Sequence, residues 1–177
     1  RFLELVHRLD RETSGCLLVA KKRSALRELH QLWRSGAVQK KYTAVLAGRW
    51  HGGRVELPLR RIERSGERVV VVDKQGKHAL SRFDAVRMGS AMTLAQVDIV
   101  TGRTHQIRVH AAVSGHPVVG DRKYGDKRVN GDVSAAGFSR LFLHASSLTF
   151  ALPGDDHPFS VDAPVPSEFE ELINAVA

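Results

Sequence analysis

Five runs of the chain read as strands, two of them (40–50 and 91–100) alternating apolar and polar residues with the two-residue period of a half-buried strand, and they follow one another with few helical stretches between them. They are "KKYTAVLAGRW" (40–50), "RVVVVD" (68–73), "ALSRFDAVRM" (79–88), "AMTLAQVDIV" (91–100) and "RLFLHASSLTFAL" (140–152). Period-two patterning commits a segment to a sheet with one face turned inward. A turn is expected at "HGG" (51–53), and "KQGK" (74–77) reads as a hairpin-like turn between two of the strands. "CLLVA" (16–20) reads as a short buried strand. Helical spacing appears at "SALRELHQLWRSG" (24–36), with Ser24 as N-cap and Gly36 as stop, at "THQIRVHAAVSG" (104–115), and at "SEFEELINAV" (167–176). The stretch 115–126 is rich in turn residues, and 127–140 is polar enough to be expected as a mobile segment. Strands in succession with few helices predict an α+β fold, a mixed and mostly antiparallel sheet with flanking helices. At 177 residues, without repeat or linker, one domain is expected.

Charge narrows the partners. Lys plus Arg number 27 against 19 Asp plus Glu, a formal net charge of +8, which favours nucleic acid or another polyanion. The single cysteine, Cys16, excludes an internal disulfide framework and a cysteine-rich zinc site, and its apolar setting reads as a buried structural thiol. No run reaches the length of a membrane span and no signal-peptide pattern is present, so the expectation is a cytoplasmic protein without a membrane partner.

Three segments concentrate chemistry. In "HRLDRETSG" (7–15), Asp10 stands between Arg8 and Arg11. A carboxylate beside guanidinium groups stays ionised at neutral pH, which suits nucleophilic or electrostatic work better than general-acid work. An ordinary surface ion pair would read the same way and contribute little. In "TGRTHQIRVH" (101–110), Arg103, His105, Arg108 and His110 crowd into a turn and the start of a helix. His105 and Arg108 are three apart and share a face. His105 and His110 lie roughly 140° apart around a helix, poor geometry for one metal, so no metal site is expected. A helix N-terminus carrying arginines suits phosphate better. In "QKKYTAV" (39–45), Tyr42 follows Lys40 and Lys41. The ordinary reading is a half-buried tyrosine beside a solvated basic pair; the functional one is a base-stacking face with lysines near backbone phosphates.

Together with "GHPVVGDRKYG" and "RLFLHA", these blocks resemble the signature blocks of the pseudouridine synthases that modify structured RNA, in the branch typified by ribosomal large-subunit and tRNA enzymes. The resemblance implies an isomerase converting chosen uridines to the carbon-linked isomer without cofactor or metal. It implies structured RNA, foremost large-subunit ribosomal RNA, as partner of a monomer. The essential aspartate falls on Asp10. The tyrosine that stacks on the uracil and is proposed to take the C5 proton falls on Tyr42, and the basic partner of the aspartate falls on Arg108. Arg8 falls where relatives fill the space left by the extruded base. Arg11, Lys40, Lys41, Arg103 and His105 are expected to contact RNA, and His7 and His144 to serve structure or RNA contact. The family carries an earlier block with a Lys-Pro pair, and many members a small RNA-binding domain before it. Residues 1–177 are therefore expected to be a catalytic domain without those parts. Three routes fit Asp10: attack at C1′, attack at C6, or elimination at the ribose, with the ribose routes favoured. Two other classes also fit the pattern, a non-catalytic RNA-binding fragment and a nuclease using His105 and His110.

Overall fold

In the computed structural model, which describes residues 1–154 and 157–175, four of the five runs lie side by side in one sheet, and the fifth, 68–73, pairs in a separate two-stranded arm. In chain order the elements are β1 (Glu4–Leu5), β2 (Ser14–Gly15), β3 (Val19–Ala20), α1 (Arg23–Ser35), β4 (Gln39–Ala47), β5 (Gly52–Glu56), β6 (Leu59–Arg64) and β7 (Glu67–Val72). They continue with β8 (Leu80–Met88), β9 (Met92–Ile99), α2 (Gln106–Val113), α3 (Lys127–Ala135), β10 (Leu143–Phe150), β11 (Phe159–Asp162) and α4 (Glu168–Ala175). Among the described residues the main sheet has seven strands along the path β11-β10-β4-β9-β8-β5, with β2 also on β10. Its pairings are antiparallel except that of β2 with β10. The mixed, mostly antiparallel sheet with flanking helices is the α+β architecture anticipated from the alternation.

Alternation along β4 decides what lies on each side of the sheet. Ala44 and Leu46 pack with Phe83, Val97, Leu143 and with Ile107 and Ala111 of α2, and Tyr42 lies against the same cluster. Val45 and Ala47 point the other way, into Met92, Leu94, Phe142, Val133 of α3, and Phe169, Leu172 and Ile173 of α4. Each such large side chain taken fully out of water contributes about 1.5–3 kcal/mol. A third cluster ties α1, through Leu29, to Val38, Leu148 and Phe150. β6 and β7 form a separate antiparallel arm. That arm is seated through Leu59 and Val70 on Ala79 and on Val109 of α2.

The structure corrects several local expectations. In "CLLVA" only Val19–Ala20 is strand, and Leu17 and Val19 are exposed, because that strand pairs only with β1. Helix α1 starts at Arg23 with Lys22 as its cap, which makes no side-chain bond, rather than at Ser24. Its end at Gly36, in the left-handed region at φ 75°, is as expected. Gly52 and Gly53 belong to β5 rather than to a turn, paired with Asp84 and Phe83. Residues 74–77 do turn, but they join β7 of the arm to β8 of the main sheet, which are not paired with each other. Most of the segment 127–140 is helix α3, since Asp126 caps Arg128 and Val129 and Val133 is buried. Strands β1, β2, β5, β6 and β11 had no strand expectation attached. Position 176, the last of the expected closing helix, lies outside the described residues.

Candidate active site

The loop carrying Asp10 is fixed by the residues that follow it. Gly15 lies beside Ala145 in the parallel β2–β10 pairing, and Ala145 lies beside Tyr42 in the next strand. Ser14 Oγ is 2.9 Å from Nδ1 of His144, whose Nε2 is 3.1 Å from the Ala163 carbonyl. A carbonyl only accepts, so Nε2 carries the ring proton and Ser14 donates to Nδ1. The small polar residues after Asp10 thus bolt its loop to the sheet, one row across from Tyr42.

Asp10, Arg8, Lys40, Tyr42, Arg103, His105 and Arg108 all line one cavity of about 410 Å³, together with Trp33 and Thr13. Lys41 and Arg11 do not line it; both are exposed. Strand alternation separates the expected basic pair, sending Lys40 inward with Tyr42 and Lys41 outward. Burial lowers the affinity of the Lys40 amine for its proton. Arg103 precedes α2 instead of lying within it, and its Nε donates to the His78 carbonyl at 2.9 Å.

Among the described residues, the ion-pair partner of Asp10 is neither flanking arginine but Arg108, 98 positions away, with Nη1 donating to Oδ2 at 3.2 Å. The guanidinium spends its fork on another carboxylate. Nε and Nη2 each reach Asp121 at 2.8 Å, and Asp121 Oδ1 also accepts the backbone N–H groups of Lys123 and Tyr124. The Asp121 side chain has no exposed surface, against 9% for Arg108 and 24% for Asp10. Burial opposes charge on both members of the Arg108–Asp121 pair, but their mutual bonds outweigh it, so the Arg108 proton is held more tightly and the Asp121 carboxyl sits below its usual range. Tyr124 closes the other side, its ring centroid 5.1 Å from the Arg108 guanidinium carbon. Neither Asp121 nor Tyr124 was singled out from sequence. Both stand in "GHPVVGDRKYG", one of the blocks of the resemblance, but no role was attached to either, and the meeting with Arg108 is tertiary.

Burial, followed by the charge of Asp10, pushes the Tyr42 hydroxyl up to about 12, so it is a neutral phenol at physiological pH. His110 is removed from the site. It is wholly buried, 3.0 Å from both Ser81 Oγ and the Leu57 carbonyl, in a network completed by Gln106 Nε2 on Ser81. A nuclease built on His105 and His110 is therefore ruled out by placement. His7 also lines the cavity, where its ring stacks on Trp33 at 4.9 Å and accepts the Leu18 N–H. Thr13 Oγ1 is the buried side-chain polar atom without a partner among the described residues, and its signal in the sequence was its place within the aspartate loop. Cys16 is buried, as expected.

One cavity thus brings together a carboxylate held by a guanidinium from a distant helix, a neutral phenol and several cations, a set of groups able to hold an anionic ligand that bears a ring. The chain belongs to the RNA pseudouridylate synthase family, whose model matches residues 1–113. Over 99% of its length the chain is 49% identical to a Pasteurella multocida protein named ribosomal large subunit pseudouridine synthase C, covering 55% of that protein. It is also 49% identical, over 93% of its length, to the Escherichia coli K12 protein of the same name, covering 53% of it. The chain thus spans about half the length of the curated relatives it matches. Among solved structures, human RNA pseudouridylate synthase domain containing 1 matches 97% of this chain and 73% of that one, with a TM-score of 0.82 and 28% identity. No helix among the described residues is long and apolar enough to cross a membrane.

Proposed function

We propose that the chain is the catalytic domain of an enzyme that isomerises uridine to its carbon-linked form in the RNA of the large ribosomal subunit, acting as a monomer in the cytoplasm. The observation that carries this reading is the Asp10–Arg108 bond inside a cavity that Tyr42 also lines. The names of the relatives favour ribosomal RNA as substrate.

Pseudouridine formation breaks the bond from N1 to C1′ and makes one from C5 to C1′. C5 loses a hydrogen to water and N1 gains one, so the reaction is redox-neutral. The target nucleotide leaves its stack, at a cost of a few kcal/mol, before its ribose and C5 can be reached. Arg8 fills the gap behind it, and Tyr42, a neutral phenol, supplies the stacking platform. As a neutral group Tyr42 accepts the C5 proton only by giving up its own. Asp10 acts at the ribose, by attack at C1′ or by starting an elimination. Its Oδ2 is occupied by Arg108, and Oδ1 has no protein partner among the described residues. Arg108 holds the carboxylate in place through one bond of 3.2 Å, weaker than its fork to Asp121, and so leaves it reactive. Lys40, Arg103 and His105 at the cavity, with Arg11 and Lys41 outside it, contact the RNA.

The test is tritium release from large-subunit ribosomal RNA labelled at C5 of uridine. Wild type releases label, and Asp10→Asn falls by at least about a thousandfold. Equal release by the two proteins would refute the role given to Asp10. Salt-sensitive RNA binding unchanged by Asp10→Asn, with no release by either protein, would make the chain a binding fragment instead.

A further inference from the structure

His105 occupies an unusual place on the backbone. At φ 55° and ψ 19° it is in the left-handed region, immediately before α2, a conformation that residues bearing a Cβ adopt at an energetic cost. Its ring lines the cavity, and Nδ1 lies 2.7 Å from the hydroxyl oxygen of Tyr124. The same oxygen accepts the backbone N–H of Val70, in strand β7 of the arm, at 3.0 Å.

These two contacts order the protons. Val70 N–H can only donate, and a phenol has one proton to give. If Nδ1 also donated to Tyr124, the hydroxyl proton would be left without an acceptor in a part-buried setting, which is costly. The hydroxyl therefore donates to Nδ1, and the neutral imidazole carries its own proton on Nε2. Nε2 has no hydrogen-bond partner among the described residues. Burial, reinforced by the cations of Arg108 and Lys123, disfavours a second proton on the ring, against the opposing pull of Asp10 and Asp121.

We infer that His105 offers a neutral Nε2–H to the cavity as the donor for a carbonyl oxygen of the uracil ring, and that Tyr124 is the positioning residue that sets this tautomer. The inference rests on the reading of the cavity as a uridine site. A neutral donor suits a neutral acceptor; phosphates are served better by the permanent charges of Arg8 and Arg103 on the same cavity. The link from Val70 through Tyr124 also makes the β6–β7 arm part of the support of the base pocket, although the arm carries none of the catalytic groups.

Nitrogen NMR of the ring in the 177-residue chain reads the tautomer directly. Wild type is expected with Nδ1 unprotonated and Nε2 protonated, and Tyr124→Phe as a mixture of the two forms. Titration with uridine is expected to move the His105 Nε2 signal, and inorganic phosphate to leave it in place. In the tritium assay, His105→Ala lowers kcat/KM about tenfold. His105→Gln, whose amide N–H extends toward the position of Nε2, restores part of that loss, and His105→Asn restores none. Tyr124→Phe lowers kcat/KM severalfold in parallel with its tautomer fraction. Protonated Nδ1 in the wild type, movement by phosphate alone or by neither probe, or equal activity of the Gln and Asn variants would each overturn the inference. Tritium release by a wild type with protonated Nδ1 would leave the isomerase reading standing. The expected tautomer in a wild type that releases no label would instead count against that reading alone.

Discussion

At the scale of single residues, Arg108 serves two carboxylates unequally. Its fork meets Asp121 at 2.8 Å twice, with the Asp121 side chain shielded from water, while Asp10 receives one bond of 3.2 Å and keeps 24% of its side chain exposed. Removing one member of a buried ion pair strands the other, at a cost of about 3–5 kcal/mol. Asp121→Ala is therefore expected to lower stability by that order in urea denaturation. Asp10→Asn should cost about 1 kcal/mol or less, because a single long bond at a partly exposed carboxylate is screened. Comparable losses for the two variants would contradict this division. The same inequality makes Asp10→Asn a clean probe of chemistry, since the variant stays folded. Asp10, Tyr42 and Arg108 were legible in the sequence as candidates because the motifs containing them resemble those of a known family. Asp121 was not, because a turn aspartate between glycines looks like any other.

At the scale of elements, the site depends on how short segments are pinned. Strand β2 has two residues, yet it carries the Asp10 loop, and the close approach of Gly15 to Ala145 keeps it in place. A Cβ at Gly15 would lie 2.2 Å from the Ala145 carbonyl oxygen, at a φ of +112° that side chains rarely adopt. Gly36, at φ +75°, has nothing within 4 Å of the same position. Gly36→Ala is thus expected to cost only about 1 kcal/mol, the backbone penalty alone. Gly15→Ala adds a backbone collision, is expected to cost about 3 kcal/mol or more, and displaces Asp10, so tritium release is lost even where the fold survives. Thermal denaturation and the tritium assay on both variants check the contrast. Strands β4, β7, β8, β9 and β10 were readable from the sequence pattern. Strand β5 was obscured by its glycines, and α3 by its polar composition, because its stability comes from the Asp126 cap and one buried face rather than from an apolar stripe.

At the scale of the whole molecule, buried neutral histidines couple the fold to pH. Burial is the leading cause that lowers His7, His105 and His110 below their ordinary value. A histidine lowered in the folded state binds more protons when unfolded, so its stabilising contribution is full above about pH 6.5 and falls away as pH drops below it. Asp121, also lowered, contributes stability above its unfolded value near about pH 4, which is lost as pH falls further toward its folded value. Urea midpoints are expected to decline in two stages, from about pH 6.5 and again below about pH 4, and Asp121→Asn to flatten the second. A midpoint independent of pH between 5 and 7 would contradict the first stage. What the sequence by itself determined was the central strands of the sheet, through their patterning, and the candidate reactive groups, through motifs that resemble those of a known family. Tertiary structure alone decided which further groups meet: that Arg108 gives its fork to Asp121 while it bonds Asp10, and that Val70 is linked to His105 through Tyr124. The reason is physical. Local preferences and alternation act over a few residues, whereas these contacts join segments tens of residues apart, and only the packing of α2, the arm and the Asp121 loop on one sheet brings them within bonding distance.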